Sequence, residues 1–162
     1  MTATLPLAAP SFDEREVEAA AEVVRSGWLT MGPRVADFES DFSDLVGTEY
    51  AVMVSSCTAA LHLAFAALDL GPGDEVIVPS LTFVATANAV AYTGATPRFA
   101  DIVSLDRPQI DPEHVRALIS PRTSAICTVH FAGYMSDVEV LRDISDRHGL
   151  ALVEDAAHAP GA

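Results

Sequence analysis

The chain has 162 residues, half of them hydrophobic, which is enough for one globular domain with a core of its own. It carries 23 acidic against nine basic residues, a net charge of -14, which leaves no basic face for a nucleic-acid backbone or an anionic membrane. All nine bases are arginines and there is no lysine, so chemistry that needs a side-chain amine finds none within these residues.

Taken in chain order, Ser11-x-x-Glu14 reads as a capping box, and Val17, Ala20, Ala21 and Val24 follow at helical spacing until Gly27. A second helix opens at Pro33 and closes at Gly47, with Val35, Phe38, Phe42 and Leu45 as its inward stripe. Short apolar runs then alternate with helical segments. Residues 51–55 lead into a helix over 58–69, residues 75–79 into one over 84–93, and residues 97–100 into a helix capped at Asp111-Pro112. The runs 124–129 and 150–154 flank a helix whose capping box is Ser136-x-x-Glu139, and the polar stretch 104–111 reads as a surface loop. Continuous Val/Ile/Leu runs separated by helices predict an α/β fold, a doubly wound, mainly parallel sheet with helices on both faces.

Cys57 and Cys127 stand in apolar surroundings and read as small buried thiols of a reducing compartment. The first ten residues lack a basic region and a long apolar run, and residues 51–68 are interrupted by Ser55, Ser56, Thr58 and His62. Neither suits a signal peptide or a membrane span, so the expectation is a cytoplasmic protein. The five histidines show no metal-ligand spacing.

In doubly wound sheets ligands lie beyond the carboxyl ends of the strands, which makes the residues after each run the ones to question. After 51–55 comes Ser56-Cys57-Thr58-Ala59, a small-residue turn opening a helix. Thr58 there is either a plain N-cap or part of an anion seat made with free helix amides. Phe83, just past 75–79, is either a core residue or a surface for a flat ring. Asp155, after 150–154, is either the next helix cap or a carboxylate at the ligand edge. His130 reads as a residue that orders its strand end. Taken together, a phosphate seat, a stacking aromatic and an edge carboxylate are what pyridoxal phosphate (PLP) demands.

Five stretches in this order carry a resemblance: 26–33 (SGWLTMGP), 55–63 (SSCTAALHL), 71–86 (GPGDEVIVPSLTFVAT), 129–133 (VHFAG) and 153–158 (VEDAAH). The chain resembles the first part of a DegT/DnrJ/StrS-type sugar aminotransferase, a branch of the fold-type I PLP enzymes, over nearly all of residues 11–162. The resemblance implies that Thr58 and the Ala59 amide hold the cofactor phosphate, Phe83 stacks on the pyridine ring, Asp155 pairs with the ring nitrogen, and His158 lies on the ring's hydroxyl side. It implies that Trp28 and Thr30 lie near the sugar substrate. Arg25 and Arg34 flank that segment and are either candidates for holding an anionic nucleotide sugar, since an acidic chain needs local positive charge there, or solvated surface charges.

It further implies amino transfer from glutamate to a nucleotide-linked keto-deoxysugar through a Schiff-base lysine in a Ser-x-x-x-x-Lys segment. No lysine is present in these residues. The expectation is therefore a single partial domain over 1–162, the incomplete first half of a PLP-binding large domain without its later strands and small domain, and inactive alone. A mean hydropathy of +0.29 adds the expectation of poor solubility, a homodimer or association with a lysine-bearing chain. The alternative is a non-catalytic remnant or pseudoenzyme that binds PLP noncovalently or associates with an intact homologue. A nucleotide-binding domain of another class is disfavoured, because no Gly-x-Gly-x-x-Gly follows the first run.

Overall fold

Asp13 starts the first helix of the computed structural model, which describes residues 9–161. The described residues divide into two units between Met53 and Val54. In the first, α1 (Glu14–Ser26) begins with a capping box, but Asp13 and Glu16 form it rather than Ser11 and Glu14. The Asp13 carboxylate accepts from the Arg15 amide, and Glu16 accepts from the Asp13 amide at 2.6 Å. The Asp13 carboxylate stands immediately before the first turn and complements its dipole, an advantage Ser11 does not have. Gly27, at φ 71°, closes the helix in the left-handed conformation that a side chain disfavours. α2 (Pro33–Val46) has Pro33 in its first turn, and Phe38 and Phe42 stack on it with ring centroids 5.8 Å apart. No residue of either helix is fully buried, and of the expected inward stripe of α2 Val35 and Phe42 are half-buried while Phe38 and Leu45 stand exposed.

The second unit holds α3 (Cys57–Ala67), β1 (Glu75–Pro79), α4 (Val84–Tyr92), β2 (Thr96–Ala100), β3 (Ile102–Ser104), β4 (Arg107–Ile110), α5 (Pro112–Leu118), β5 (Thr123–Val129), α6 (Val138–His148) and β6 (Ala151–Asp155). Four strands form one parallel sheet in the order β2-β1-β5-β6. Alternate side chains feed opposite faces. Val76, Val78, Ala125 and Cys127 pack with Leu61 and Phe65 of α3 and Val90 of α4, whereas Ile77 and Ile126 pack with Val115 of α5 and Leu141 and Ile144 of α6. The sheet is thus covered on both faces, and the chain leaves β1 toward β2 but later returns on the other side of β1 to lay down β5 and β6. That reversal is a topological switch point at the carboxyl ends of β1 and β5.

Besides the α1 cap, the structure of the second unit and the segment before it departs from the sequence reading in four further places. Residues 51–55 form no strand: they join no ladder among the described residues, and an apolar run without a hydrogen-bonding neighbour is only extended chain. Residues 104–111 are not a plain loop, since β3 and β4 pair as an antiparallel hairpin whose turn is tied by the Arg107 amide on Ser104 Oγ. α6 is capped by Asp137, which accepts from the Val140 amide, and not by Ser136, which is buried in a hydrogen bond from Thr128. Cys57 is exposed, because it stands at the first turn of α3 rather than inside the core; Cys127 is buried as expected.

The amino end of β1 is fixed by a buried carboxylate. Glu75 accepts from Ser120 Oγ at 2.7 Å and from Arg122 Nε and Nη2 at 3.0 and 2.6 Å, with Arg98 at 3.3 Å. The Ser120 and Arg122 hydrogen bonds, reinforced by the charges of Arg122 and Arg98, hold its pKa below the ordinary glutamate value.

Candidate cofactor site

Three strand ends and one helix start surround a cavity of about 170 Å³ at the carboxyl edge of the sheet. Phe83 follows β1, Phe131 follows β5, Asp155 and His158 end and follow β6, and Cys57 and Thr58 open α3. The structure therefore gathers Thr58, Phe83, Asp155 and His158 around one space.

At α3, Ser56 is the N-cap: its hydroxyl accepts from the Ala59 amide at 3.2 Å. The simple N-cap reading of Thr58 is thereby excluded, since Thr58 lies inside the first turn with its hydroxyl left over. The Ala59 amide is engaged by the cap, while the amides of Cys57 and Thr58 have no intrahelical acceptor and point the positive end of the helix outward. Phe83 is not core. It is 70 % exposed, held at the start of α4 by its backbone and not by packing.

Asp155 is the opposite case, a carboxylate only 7 % exposed. Its Oδ1 accepts from Cys57 Sγ at 3.5 Å and the Ala157 amide at 3.1 Å, and its Oδ2 from Thr86 Oγ1 at 3.4 Å. No arginine or histidine forms an ion pair with it among the described residues. A nearly buried negative charge met only by neutral donors is incompletely compensated and favours a cationic N–H partner. Burial first, then the charge of Asp155 and its acceptance of the S–H, push the Cys57 thiol pKa up, so Cys57 serves Asp155 as a neutral donor.

His158 Nδ1 accepts from the Ala132 amide at 3.0 Å, which puts its proton on Nε2. Ala132 sits at φ 53°, a left-handed conformation for a non-glycine residue at the mouth of the site. His130 orders the strand end, as its position suggested: it is 1 % exposed, Nδ1 accepts from the Ser136 amide at 3.2 Å, and Nε2 then donates to Glu154 at 3.0 Å. Its own amide donates to the Asp155 carbonyl at 3.1 Å, which ties β5 to the end of β6.

Trp28 and Thr30 line a different and larger concavity of about 600 Å³ within the first unit. Trp28 Nε1 donates to the Met31 carbonyl at 2.8 Å, and its ring lies over Gly32 so closely that a Cβ there would meet the ring at 2.2 Å. Arg25 and Arg34 are not free cations, because they pair with Glu18 and Glu22. Sequence reasoning reads Cys57 only as a buried thiol and does not single out Thr86. The available signal was Thr86 itself, a hydroxyl among Ala85, Ala89 and Val90 on the buried side of a helix.

Free helix amides, an exposed aromatic and a nearly buried carboxylate thus meet at the switch point of a parallel sheet, the place where ligands of such folds lie. The chain belongs to the DegT/DnrJ/EryC1/StrS aminotransferase family, whose pattern it matches over residues 10–162. Among solved structures it is similar to S. venezuelae DesV in complex with a ketimine intermediate, at 46% identity and a TM-score of 0.87 over 91% of this chain and 40% of that one. It is also similar to 3-amino-5-hydroxybenzoic acid (AHBA) synthase, at 38% identity and a TM-score of 0.89 over 96% of this chain and 41% of that one. NtdA of Bacillus subtilis with bound cofactor PMP gives 36% identity and a TM-score of 0.86 over 91% of this chain and 34% of that one. The chain thus spans 34–41% of the length of these relatives. Among the described residues no helix is long and apolar enough to cross a membrane, and no cluster of side chains could hold a metal ion.

Proposed function

We propose that residues 1–162 form the cofactor-binding part of a PLP-dependent aminotransferase that moves an amino group from glutamate to a keto-deoxysugar carried on a nucleotide. The observation that carries this reading is Asp155, a nearly buried carboxylate with neutral donors only, opening on the cavity that Phe83 and Thr58 line. The donor set fits the cofactor. The Cys57 and Thr58 amides and the Thr58 hydroxyl hold the phosphate, with the Ala59 amide shared with Ser56; Phe83 covers the ring; Asp155 receives the ring N–H; and His158 offers its Nε2 proton to the ring oxygen. When bound, the cofactor supplies an electron-withdrawing ring that stabilises negative charge developing on the substrate carbon.

The chain's own residues orient that ring, and Asp155 accepts the hydrogen bond of its protonated nitrogen. The amine that attacks and relays the proton comes from outside residues 1–162, since no lysine occurs in them and arginine offers no free amine. Trp28 and Thr30 belong to the substrate side of this reading. The NtdA relative with its bound PMP supports the cofactor class, PMP being the aminated form of PLP.

The test is PLP binding followed by visible absorbance and equilibrium dialysis. The chain is expected to bind PLP, and Asp155→Asn to weaken it by about tenfold or more, because a charge-assisted hydrogen bond becomes a neutral one. Failure to bind, or binding indifferent to Asp155→Asn, overturns the reading.

A further inference from the structure

Thr86 is wholly buried in α4, where a threonine ordinarily turns its hydroxyl back to the carbonyl four residues earlier. Here it does not. Thr86 Oγ1 lies 2.7 Å from Thr82 Oγ1 and 3.4 Å from Asp155 Oδ2, so it bridges the loop after β1 to the end of β6, across the intervening β5. An ionised Asp155 only accepts, so Thr86 donates to it; Thr86 must then accept from Thr82, whose hydroxyl is the donor. The result is a one-way relay, Thr82 to Thr86 to Asp155, in which each bond polarises the next. A valine at 86 would fill the same volume without burying a hydroxyl, so packing alone does not explain the threonine.

We propose that Thr86, its hydroxyl aligned by Thr82, is a positioning residue that fixes the Oδ2 side of the Asp155 carboxylate and thereby the carboxylate's hold on a cationic ring nitrogen. The proposal rests on the reading of Asp155 as the ring-nitrogen partner. Cys57 and the Ala157 amide hold the other oxygen, so the carboxylate is fixed from both sides and cannot rotate away from the cavity.

The experiment has two arms on the 162-residue chain. In the first, without ligand, isotope-edited infrared difference spectra against Asp155→Asn isolate the Asp155 carboxylate stretch. Thr86→Val is expected to move that band, Thr86→Ser to return it to its original frequency, and Thr82→Val to move it the same way by less. A band unmoved in folded Thr86→Val overturns the proposal, and if that variant does not fold, an unmoved band in Thr82→Val does so. In the second arm PLP is titrated by visible absorbance. Thr86→Val is expected to raise Kd about three- to tenfold and Thr86→Ser to restore it. A Kd unchanged while the band moves overturns the role in cofactor hold. A parent chain that binds no PLP although the band still moves overturns the function proposed above and leaves the fixing of the carboxylate standing.

Discussion

Phe83 is a large aromatic left 70 % exposed at the rim of a mainly apolar cavity, where nothing among the described residues packs over it. Leaving such a ring in water has no structural return, so its energetic value depends on what lies against it. Phe83→Ala is therefore expected to leave the melting temperature of the chain nearly unchanged while weakening PLP binding about three- to tenfold, measured by absorbance titration beside a thermal melt. A Tm that falls together with affinity would mark Phe83 as a packing residue after all. Residue chemistry was unevenly legible in the sequence. Asp155 and Thr58 could be found because they follow apolar runs, whereas Thr86 acts through a contact 69 positions away that no local pattern encodes.

At the scale of elements, the two edges of the sheet divide the work. The carboxyl edge opens on the cavity; the amino edge is closed by Glu75, where Ser120, Arg122 and Arg98 converge from the segment before β5 and from β2. Because the folded state holds the Glu75 pKa below its ordinary value, this carboxylate stabilises the fold above the unfolded carboxylate range, and the contribution disappears as pH falls through the lowered value. Glu75→Gln should lower the Tm at pH 7, and the gap to the parent should close as melts are repeated down to about pH 3. A gap independent of pH would mean that Glu75 acts by packing alone. The helices were legible because periodicity and caps are local, although Asp13 and Asp137 displaced the serines expected to cap α1 and α6. Residues 51–55 were misread for the converse reason. A strand exists only by virtue of its neighbours, and an apolar run does not state whether it has any. The β3–β4 hairpin was missed because its residues are polar and its strands short.

For the molecule as a whole, nine arginines and no lysine occur in the chain, so no side-chain amine stands at the proposed binding edge. With PLP, glutamate and a keto sugar nucleotide, the 162-residue chain is expected to release 2-oxoglutarate no faster than free PLP in the same buffer. Addition of a chain carrying the Ser-x-x-x-x-Lys segment is expected to raise that rate. Turnover by the 162 residues alone would remove the need for a lysine and with it the assignment of the chemistry.

The strand order β2-β1-β5-β6 also leaves β2 and β6 as the outer strands of this sheet among the described residues. One outer strand, β2, is guarded: Pro97 offers no N–H to a newcomer and Arg98 places a charge beside it. The other, β6, runs Ala151-Leu152-Val153-Glu154-Asp155, with a charge at Glu154 but no proline, and its last residue is the carboxylate that lines the cavity. A strand pairing with β6 would lie directly beside the carboxylate that lines the cavity, whereas one pairing with β2 would lie on the far side of β1 and β5 from it.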